Sequence, residues 1–284
     1  MSQTIALMGA GGKMGCRITD RIRDNPEYEV RYVEPAEEGQ KRLEEHGVSS
    51  VTPIEDAIPG ADVVIMAVPD SLIGSVAADV VPQMGPEAMM ILLDPAAAYA
   101  GELPDRKDIT YFLSHPCHPS FFTAETSMDD PNPDWFGGNG RDPQDIICAL
   151  HAGSDSEYTR GESIARDIYA PVRDTHRVTT EQMAILEPAL VETLLGTCLT
   201  VIREGRDRAV EMGVPKEAAD AMLFGHMRIE MGIIFGFTDF PFSDGAQQAI
   251  EEAKREIFDE DWEDSVFDKE NIQESVKLIT SEGN

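Results

Sequence analysis

Short apolar runs alternate with amphipathic helical patterns along the first part of the chain. Seven of these runs predict β-strands, at residues 4–8, 29–33, 61–68, 89–93, 109–113, 146–151 and 172–178. Apolar residues at three- and four-residue spacings predict helices between several of them, at 14–23, 71–81 and 156–168. Strands that alternate with helices are typical of a mostly parallel sheet covered on both faces. The pattern therefore predicts an α/β fold of the doubly wound type.

The pattern changes after residue 178, where only helices are predicted. They run over residues 180–212, 215–235 and 244–258, and the acidic tail that follows is expected to fray. We therefore predict a boundary near residue 178 between an α/β domain over residues 1–178 and an all-α C-terminal domain over 179–284. Residues 128–145 are rich in Pro, Gly, Asp and Asn and are predicted to form a loop.

A glycine cluster lies where the first predicted strand meets the first helix, and it contains the pattern GxxGxxG. In dinucleotide-binding folds such glycines permit a tight turn, close approach to a pyrophosphate and packing of the helix on the sheet. The N–H groups of the helix N-terminus then bind the phosphates. This context predicts a Rossmann-type sheet and a dinucleotide site. The predicted binding residues of the turn are Gly9, Gly11, Gly12, Lys13, Met14 and Gly15.

The choice between NAD and NADP depends on the end of the second predicted strand. Glu34 stands there, and a carboxylate at this position accepts hydrogen bonds from the ribose hydroxyls and repels a 2′-phosphate. This favours NAD, although Arg31 and Arg42 are near enough in sequence to leave NADP open. The turn of Val68, Pro69 and Asp70 follows the third strand and is also predicted to contact the cofactor.

Two histidines lie in one short, proline-containing segment, SHPCHP, after the fifth predicted strand. His115 and His118 are therefore expected at the carboxyl edge of the sheet, where they could act as acid and base or as metal ligands. A structural role for both histidines stays open. Cys117 lies between them and could join a metal site or serve as a nucleophile. With no activating neighbour visible, it is expected to be a buried, unreactive thiol.

The predicted helices of the second domain carry polar residues among apolar ones. Glu187 and Glu192 are five residues apart, which on an α-helix turns them about 140° from each other. Only one of them is then expected to face a cleft, unless Pro188 bends the helix. His226 and Glu230 are four residues apart and share a face, where they could bind a metal or simply bond to each other.

Composition excludes some classes of function. The formal charge is −30, from 53 acidic and 23 basic residues, and no basic stripe is present, so nucleic-acid binding is excluded. Such a surface favours a halophilic source, because molar salt screens the repulsion. No stretch approaches about 18 uninterrupted apolar residues, and no signal peptide is visible, so we expect a cytoplasmic protein that does not span a membrane.

Several longer strings together resemble the D-apionate oxidoisomerase family, and the resemblance covers nearly the whole chain. These strings are GAGGKMG, ADVVIMAVPD, LLDPAAAYAGELP, ITYFLSHPCHP, HRVTTEQMAILEPALVET and PFSDGA. More broadly the chain is similar to the 6-phosphogluconate dehydrogenase-like superfamily, which joins a Rossmann domain to a helical dimerising domain. The resemblance implies an NAD-linked oxidation of D-apionate, a branched sugar acid, coupled to an α-ketol rearrangement that gives 3-oxoisoapionate.

For this chemistry His115 is the expected base, and Glu192 and His118 are further catalytic candidates. The rearrangement must stabilise two vicinal oxygens, which a divalent cation does well. The expected ligands of such a cation are His118, Glu187, His226 and Glu230. The chain lacks the KxxN element of 3-hydroxyacid dehydrogenases and the DxxxE and ExxxE pairs of ketol-acid reductoisomerases, so neither mechanism transfers directly.

Two other interpretations stay open from the sequence. A plain NAD-dependent dehydrogenase of a hydroxyacid or sugar acid would oxidise its substrate without changing the carbon skeleton. A regulator that binds NAD would show no turnover and would tolerate His115→Ala. The helical domain is small and rich in apolar positions, so we expect it to bury part of its surface in a homodimer.

Overall fold

The structure, a computed structural model, describes residues 2–122, 135–137 and 141–281. The chain divides into two compact units. The first comprises Met1–Glu187 together with Gln273–Asn284, and the second comprises Pro188–Ile272. The end of the chain thus belongs to the first unit by its packing, whereas the sequence placed residues 179–284 in one domain.

A seven-stranded sheet forms the centre of the first unit, in the order β2-β1-β3-β4-β5-β6-β7. The strands are β1 Gln3–Met8, β2 Tyr28–Val33, β3 Val63–Met66, β4 Met89–Leu92, β5 Thr110–Pro116, β6 Gln144–Ala152 and β7 Val172–Val178. Every neighbouring pair is parallel except β5 and β6, which are antiparallel. The order reverses at β1, so the doubly wound, mostly parallel sheet expected from the sequence is confirmed.

Helices connect the strands of the first unit. They are α1 Lys13–Ile22, α2 Glu37–Glu45, α3 Ile54–Ala57, α4 Asp70–Val80, α5 Ala96–Tyr99, α6 Asp155–Ile168 and α7 Thr180–Ala184, with a 3-10 turn at Val81–Gln83. Because side chains alternate across a strand, the central strands feed two separate apolar cores. Val64 packs in one core and Ile65 in the other, and neither side chain is exposed.

The long helix after β7 is irregular. Thr179 caps it through a reciprocal capping box with Gln182. After α7 the helix continues as a π-helix over Ile185–Leu195, which contains Pro188. Proline has no N–H to donate, so α-helical bonding is interrupted there and a wider turn takes its place. The Thr193 hydroxyl donates to the Pro188 carbonyl, five residues back, at 2.7 Å.

Helices alone build the second unit. After the π-helix come α8 Gly196–Glu211, α9 Lys216–Ile234, α10 Asp244–Ile257 and α11 Trp262–Phe267, and the unit ends within α12 Lys269–Thr280. This confirms an all-α segment after the sheet. Among the described residues, the continuous helix Thr180–Glu211 is, by length and composition, apolar enough to span a bilayer, since an 18-residue window of it has a mean hydropathy of 1.6. Its composition therefore does not support the expectation that membrane spans are excluded, although core helices pass the same test.

One sequence expectation was wrong, and a second was wrong at two positions. The acidic tail forms α11 and α12 instead of fraying, and Val276 of α12 is fully buried. Burial of apolar side chains on one face stabilises such a helix despite its charge. The predicted loop at 128–145 lies partly outside the described residues, and its last two positions belong to β6.

Candidate active site

The glycine turn between β1 and α1 is packed too closely for side chains. Gly9 has a φ of +69°, and a Cβ on it would lie 2.5 Å from the Ala67 carbonyl oxygen. A Cβ on Gly15 would lie 2.3 Å from the Gly9 carbonyl oxygen. Both contacts are with backbone atoms, which cannot move aside as a flexible side chain can. The turn thus brings the N-terminus of α1 against the carboxyl edge of the sheet, the geometry used by dinucleotide-binding turns.

Glu34 lies at the end of β2, where it was predicted, and its carboxylate braces this turn. One oxygen, Oε2, accepts from the N–H of Gly11 at 2.9 Å, and Oε1 accepts from the N–H of Ala36 at 3.0 Å. The residue is only 9% exposed. Each carboxylate oxygen can accept more than one hydrogen bond, so the group can hold the turn and still accept from a ribose hydroxyl.

The two arginines that left NADP open have protein partners. Arg42 Nε donates to the Gly11 carbonyl at 2.7 Å and so supports the turn from the other side. Arg31 donates to the carbonyls of Ala57 and Pro59 at 3.0 and 2.9 Å. The guanidinium of Arg31 is therefore engaged with the segment before β3 and not with the glycine turn.

A cavity of about 670 Å³ opens beside the turn. Its walls are mostly apolar and include Ile54, Leu72 and Val76, and it reaches Gly12, Glu34, Val68 and Pro69. This shape suits a flat aromatic base with a polar ribose edge. A second cavity of about 1100 Å³ lies near the beginnings of β4 and β5, at the opposite edge of the sheet. Ligands of open α/β sheets bind outside the carboxyl ends of strands, so the first cavity is the candidate cofactor site.

His115 lies at the carboxyl end of β5 and is partly buried. Its Nδ1 is 2.8 Å from the Leu93 carbonyl oxygen. A carbonyl oxygen can only accept, so Nδ1 carries the hydrogen and Nε2 has the available lone pair. The tautomer that the Leu93 carbonyl imposes thus makes Nε2 of His115 the atom able to accept a proton or bind a cation.

Two buried carboxylates lie beside this histidine. One ligand atom from each of Asp94, His115 and Glu187 lies within 4.8 Å of the other two. Asp94 is 8% exposed and Glu187 is 7% exposed. The Asp94 carboxylate also accepts from the Ala96 N–H at 2.6 Å, which fixes it at the start of α5. We call Asp94, His115 and Glu187 the carboxylate–histidine triad.

His118 adjoins His115, with ring centroids 6.2 Å apart. Its φ is +59°, and its Nδ1 lies 2.8 Å from the Phe136 carbonyl oxygen. Burial lowers the pKa of His118, and the nearby His115, Arg17 and Lys13 lower it further. The Phe136 ring covers the Lys13 ammonium, whose Nζ is 3.4 Å from the ring centroid. Hence His118 has an available nitrogen at neutral pH.

Cys117 is exposed, so the expectation of a buried thiol was wrong. The surrounding protein still desolvates its sulfur enough to raise the thiol pKa, and the charge of Asp145 raises it further. Its thiol is therefore mostly protonated at neutral pH, in keeping with the unreactive role expected for it.

The remaining predicted site residues lie on the helices that follow β7. Glu192 is exposed in the π-helix. In a π-helix residues five apart lie about one turn apart, so the separation of about 140° expected for an α-helix does not apply here; Glu187 is buried, whereas Glu192 is exposed. On α9, His226 and Glu230 are exposed, and Nδ1 of His226 is 2.8 Å from the Met222 carbonyl oxygen. Of the four predicted metal ligands, only Glu187 belongs to the triad.

Asp94 was not identified from the sequence. The signal was present, since Asp94 directly follows the apolar run MMILL, at the end of a predicted parallel strand. The carboxyl ends of β4 and β5 are neighbours in the sheet, so a polar residue after one strand lies near a histidine at the end of the other.

Comparison with known proteins agrees with this geometry. Residues 124–280 match the family model of the phosphogluconate dehydrogenase (decarboxylating) C-terminal domain. A D-apionate oxidoisomerase of Cupriavidus necator is 47% identical over 281 residues, which cover 99% of this chain and 100% of the relative. The chain belongs to the D-apionate oxidoisomerase family. A second member, from Rhizobium rhizogenes, is 45% identical over 276 residues, 97% of this chain and 99% of the relative.

Solved structures place the D-apionate oxidoisomerase family among dinucleotide-binding folds. A crystal structure of a semialdehyde dehydrogenase NAD-binding protein from Cupriavidus necator, in complex with calcium and NAD, is 46% identical to this chain with a TM-score of 0.92. It covers 99% of this chain and 100% of that one. An NADH-preferring ketol-acid reductoisomerase from an uncultured archaean has a TM-score of 0.67 at 16% identity over 98% of this chain and 82% of that one, and shares the fold.

Proposed function

We propose that this protein oxidises D-apionate with NAD and rearranges the product to 3-oxoisoapionate. The observation that carries the proposal is the near-full-length identity of 47% to a D-apionate oxidoisomerase. The site supports it, because a dinucleotide turn and a histidine with an available lone pair lie at the carboxyl edge of one sheet.

The glycine turn and its cavity fit NAD. The turn has no room for side chains where phosphates would approach, and the cavity ends at the carboxylate of Glu34. NAD, when bound, supplies the acceptor for the hydride. The residues proposed to hold it are Gly9, Gly11, Gly12, Lys13, Met14, Gly15, Glu34, Val68, Pro69 and Asp70.

His115 is the proposed base of the oxidation. Its Nε2 can take the proton from the substrate hydroxyl next to the carboxylate, because the Leu93 carbonyl holds the hydrogen on Nδ1. Positioned general bases contribute about 10²–10⁴-fold to rate. His118 stays unprotonated because burial lowers its pKa, so it can serve the second proton transfer. Glu192 is the other candidate for that transfer.

The rearrangement requires two vicinal oxygens to be held together while a carbon group migrates. A divalent cation suits this task, and a relative 46% identical to this chain was crystallised with calcium as well as NAD. We propose that a divalent cation assists the rearrangement in this protein. The ligands predicted from the sequence, His118, Glu187, His226 and Glu230, stay a prediction.

The test is to incubate the protein with D-apionate and NAD, follow NADH by absorbance and identify the carbon skeleton of the product by NMR. We expect NADH and 3-oxoisoapionate. His115→Gln should lower kcat by about 10²–10⁴-fold without weakening NAD binding. His46→Gln, which changes a partly buried histidine paired with Asp20, is the matched control. An oxidised product with the original skeleton would indicate a plain dehydrogenase, and NAD binding without NADH would reject the proposed substrate.

We also propose that the protein is a cytoplasmic homodimer, with the second unit supplying the interface. Large apolar side chains are exposed along its helices, among them Leu195, Leu199, Ile202, Phe224, Ile229 and Ile234. α8 and α10 contain no buried residue at all. Apolar surface on this scale marks an interaction site, and the commonest partner for such a surface is a second copy of the same chain.

A further inference from the structure

The carboxylate–histidine triad concentrates negative charge in a buried place. Asp94 and Glu187 are both more than nine-tenths buried, and one carboxylate oxygen of each lies within 4.8 Å of the other. Two ionised carboxylates at this distance repel each other strongly in a protein interior. The arrangement is stabilised if a positive charge lies between them.

The donor set fits a divalent cation. Oxygen and nitrogen ligands bind such ions at about 2.0–2.6 Å, so atoms on opposite sides of one ion lie about 4–5 Å apart. The spacing of the triad is within this range. The two carboxylates suit Mn²⁺, Mg²⁺ or Ca²⁺, the imidazole makes the set suit a transition-metal ion as well, and the two negative charges balance the charge of the ion.

The backbone also prepares the ligands. The Leu93 carbonyl fixes the His115 tautomer that leaves Nε2 able to coordinate, in the way that outer hydrogen bonds orient metal-binding histidines. The Ala96 N–H donates to one oxygen of Asp94 at 2.6 Å, which fixes the orientation of this carboxylate. The three ligands thus come from the segment after β4, from the end of β5 and from the long helix after β7, and they are arranged around one point.

We infer that Asp94, His115 and Glu187 form the binding site of a divalent cation that holds the oxygens of the sugar-acid substrate. This assignment rests on the proposed function for its substrate. It replaces His118, His226 and Glu230 of the predicted ligand set and makes His115 a ligand. His118, with its ring centroid 6.2 Å from that of His115, then becomes the acceptor of the hydroxyl proton.

The test uses Mn²⁺ alone as the probe. The full-length protein is stripped with a chelator, and free Mn²⁺ is followed by its EPR signal during a titration. A background of molar KCl suppresses loose association with a surface whose formal charge is −30. We expect about one tightly bound Mn²⁺ per chain and a rise in Tm, because an ion that binds only the folded state stabilises it.

Variants locate the ion. Asp94→Asn and Glu187→Gln keep the side-chain shape and should raise the Mn²⁺ dissociation constant at least about tenfold, since losing even a residue that supports a ligand costs about 10–100-fold. Asp79→Asn and Glu181→Gln remove exposed carboxylates from neighbouring helices and should bind like the parent. His118→Gln should also keep its Mn²⁺ affinity. Circular dichroism of each variant verifies that it has folded.

The outcomes separate this inference from the proposed function. Loss of Mn²⁺ binding in Asp94→Asn and Glu187→Gln, with binding retained in the other variants, supports the triad as the cation site. A parent that binds no Mn²⁺, or a folded Glu187→Gln that binds like the parent, overturns it. In either of those cases NADH formation from D-apionate without added metal would leave the proposed oxidation intact, with His115 as its base.

Discussion

The two compact units differ in how completely they bury their apolar residues. In the first, the inner strands β3 and β4 are completely buried, and two apolar cores fill both faces of the sheet. In the second, α8, α10 and α11 contain no buried residue, and α9 contains only Gly232. The first unit thus completes its core within one chain, whereas the second leaves most of its apolar surface accessible.

This difference indicates which properties depend on a single chain. A unit with complete cores gains its stability from its own packing, at about 25 cal/mol for each Å² of apolar surface that it buries. A unit with exposed apolar helices gains little that way. Its stability is then linked to whatever covers those helices, and becomes dependent on protein concentration if that is a second copy.

The largest expected effect comes from comparing one isoleucine in each unit. Ile65 of β3 is completely buried, whereas Ile250 of α10 is 47% exposed. Ile65→Ala should lower the free energy of unfolding by about 2–5 kcal/mol, because it leaves a cavity in a packed core. Ile250→Ala should cost less than about 1 kcal/mol in the monomer. Urea unfolding followed by circular dichroism measures both, and equal losses would show that the contrast between the units is not real.

The second comparison uses one exposed leucine in each unit. Leu199 of α8 is 42% exposed and Leu278 of α12 is 77% exposed. If the second unit forms the dimer interface, Leu199→Glu should weaken association by at least about 2 kcal/mol, or about 30-fold in the dissociation constant. Leu278→Glu should leave the mass of the oligomer unchanged. Sedimentation equilibrium decides, and a monomeric parent protein would contradict the proposed homodimer.

The smallest expected effect is on the pH dependence of activity and comes from the burial of His118 in the first unit. Burial holds the pKa of His118 below its usual value of 6.5, so the ring should stay neutral at more acidic pH than an exposed histidine does. Because His118 must be neutral to accept the proton in the reaction, kcat/KM should stay constant as the pH falls to about 6.5. It should decline only below that pH. His118→Gln should abolish this decline, with His46→Gln as control.

The lowered pKa of His118 also makes the free energy of unfolding depend on pH. Because the folded pKa lies below the unfolded value, the unfolded chain binds the proton first. The free energy of unfolding should therefore rise with pH between the lowered pKa and about 6.5, and His118→Gln should reduce that slope. A decline in kcat/KM that begins above pH 6.5 would contradict the desolvation of His118.

Much of the first unit could be predicted from its residues. Its strands are apolar runs with clear ends, and the glycine turn has steric requirements that the sequence displays. The pairing of β5 with β6 could not, because antiparallel and parallel partners carry the same apolar pattern. The helices of the tail were missed because charge dominates their composition, while a few residues such as Val276 decide the packing.

The site was predicted in part for similar reasons. Strand ends place His115 and Glu34 reliably, since the carboxyl edge of a parallel sheet is a property of the topology. The approach of Glu187 to the same edge depends on the path of a helix that follows β7 much later in the chain. The π-helix at Pro188 also changes which residues share a side, and spacing rules for α-helices do not describe it.

Glu34 has a consequence for any attempt to redesign cofactor preference. The usual exchange of this acidic residue for a small or basic one, which makes room for a 2′-phosphate, would here also remove the acceptor for the N–H groups of Gly11 and Ala36. Two backbone donors next to the glycine turn would lose their partner at once. A successful redesign must therefore supply a replacement acceptor, so the change needs at least two coordinated substitutions and is hard to reach by single mutational steps.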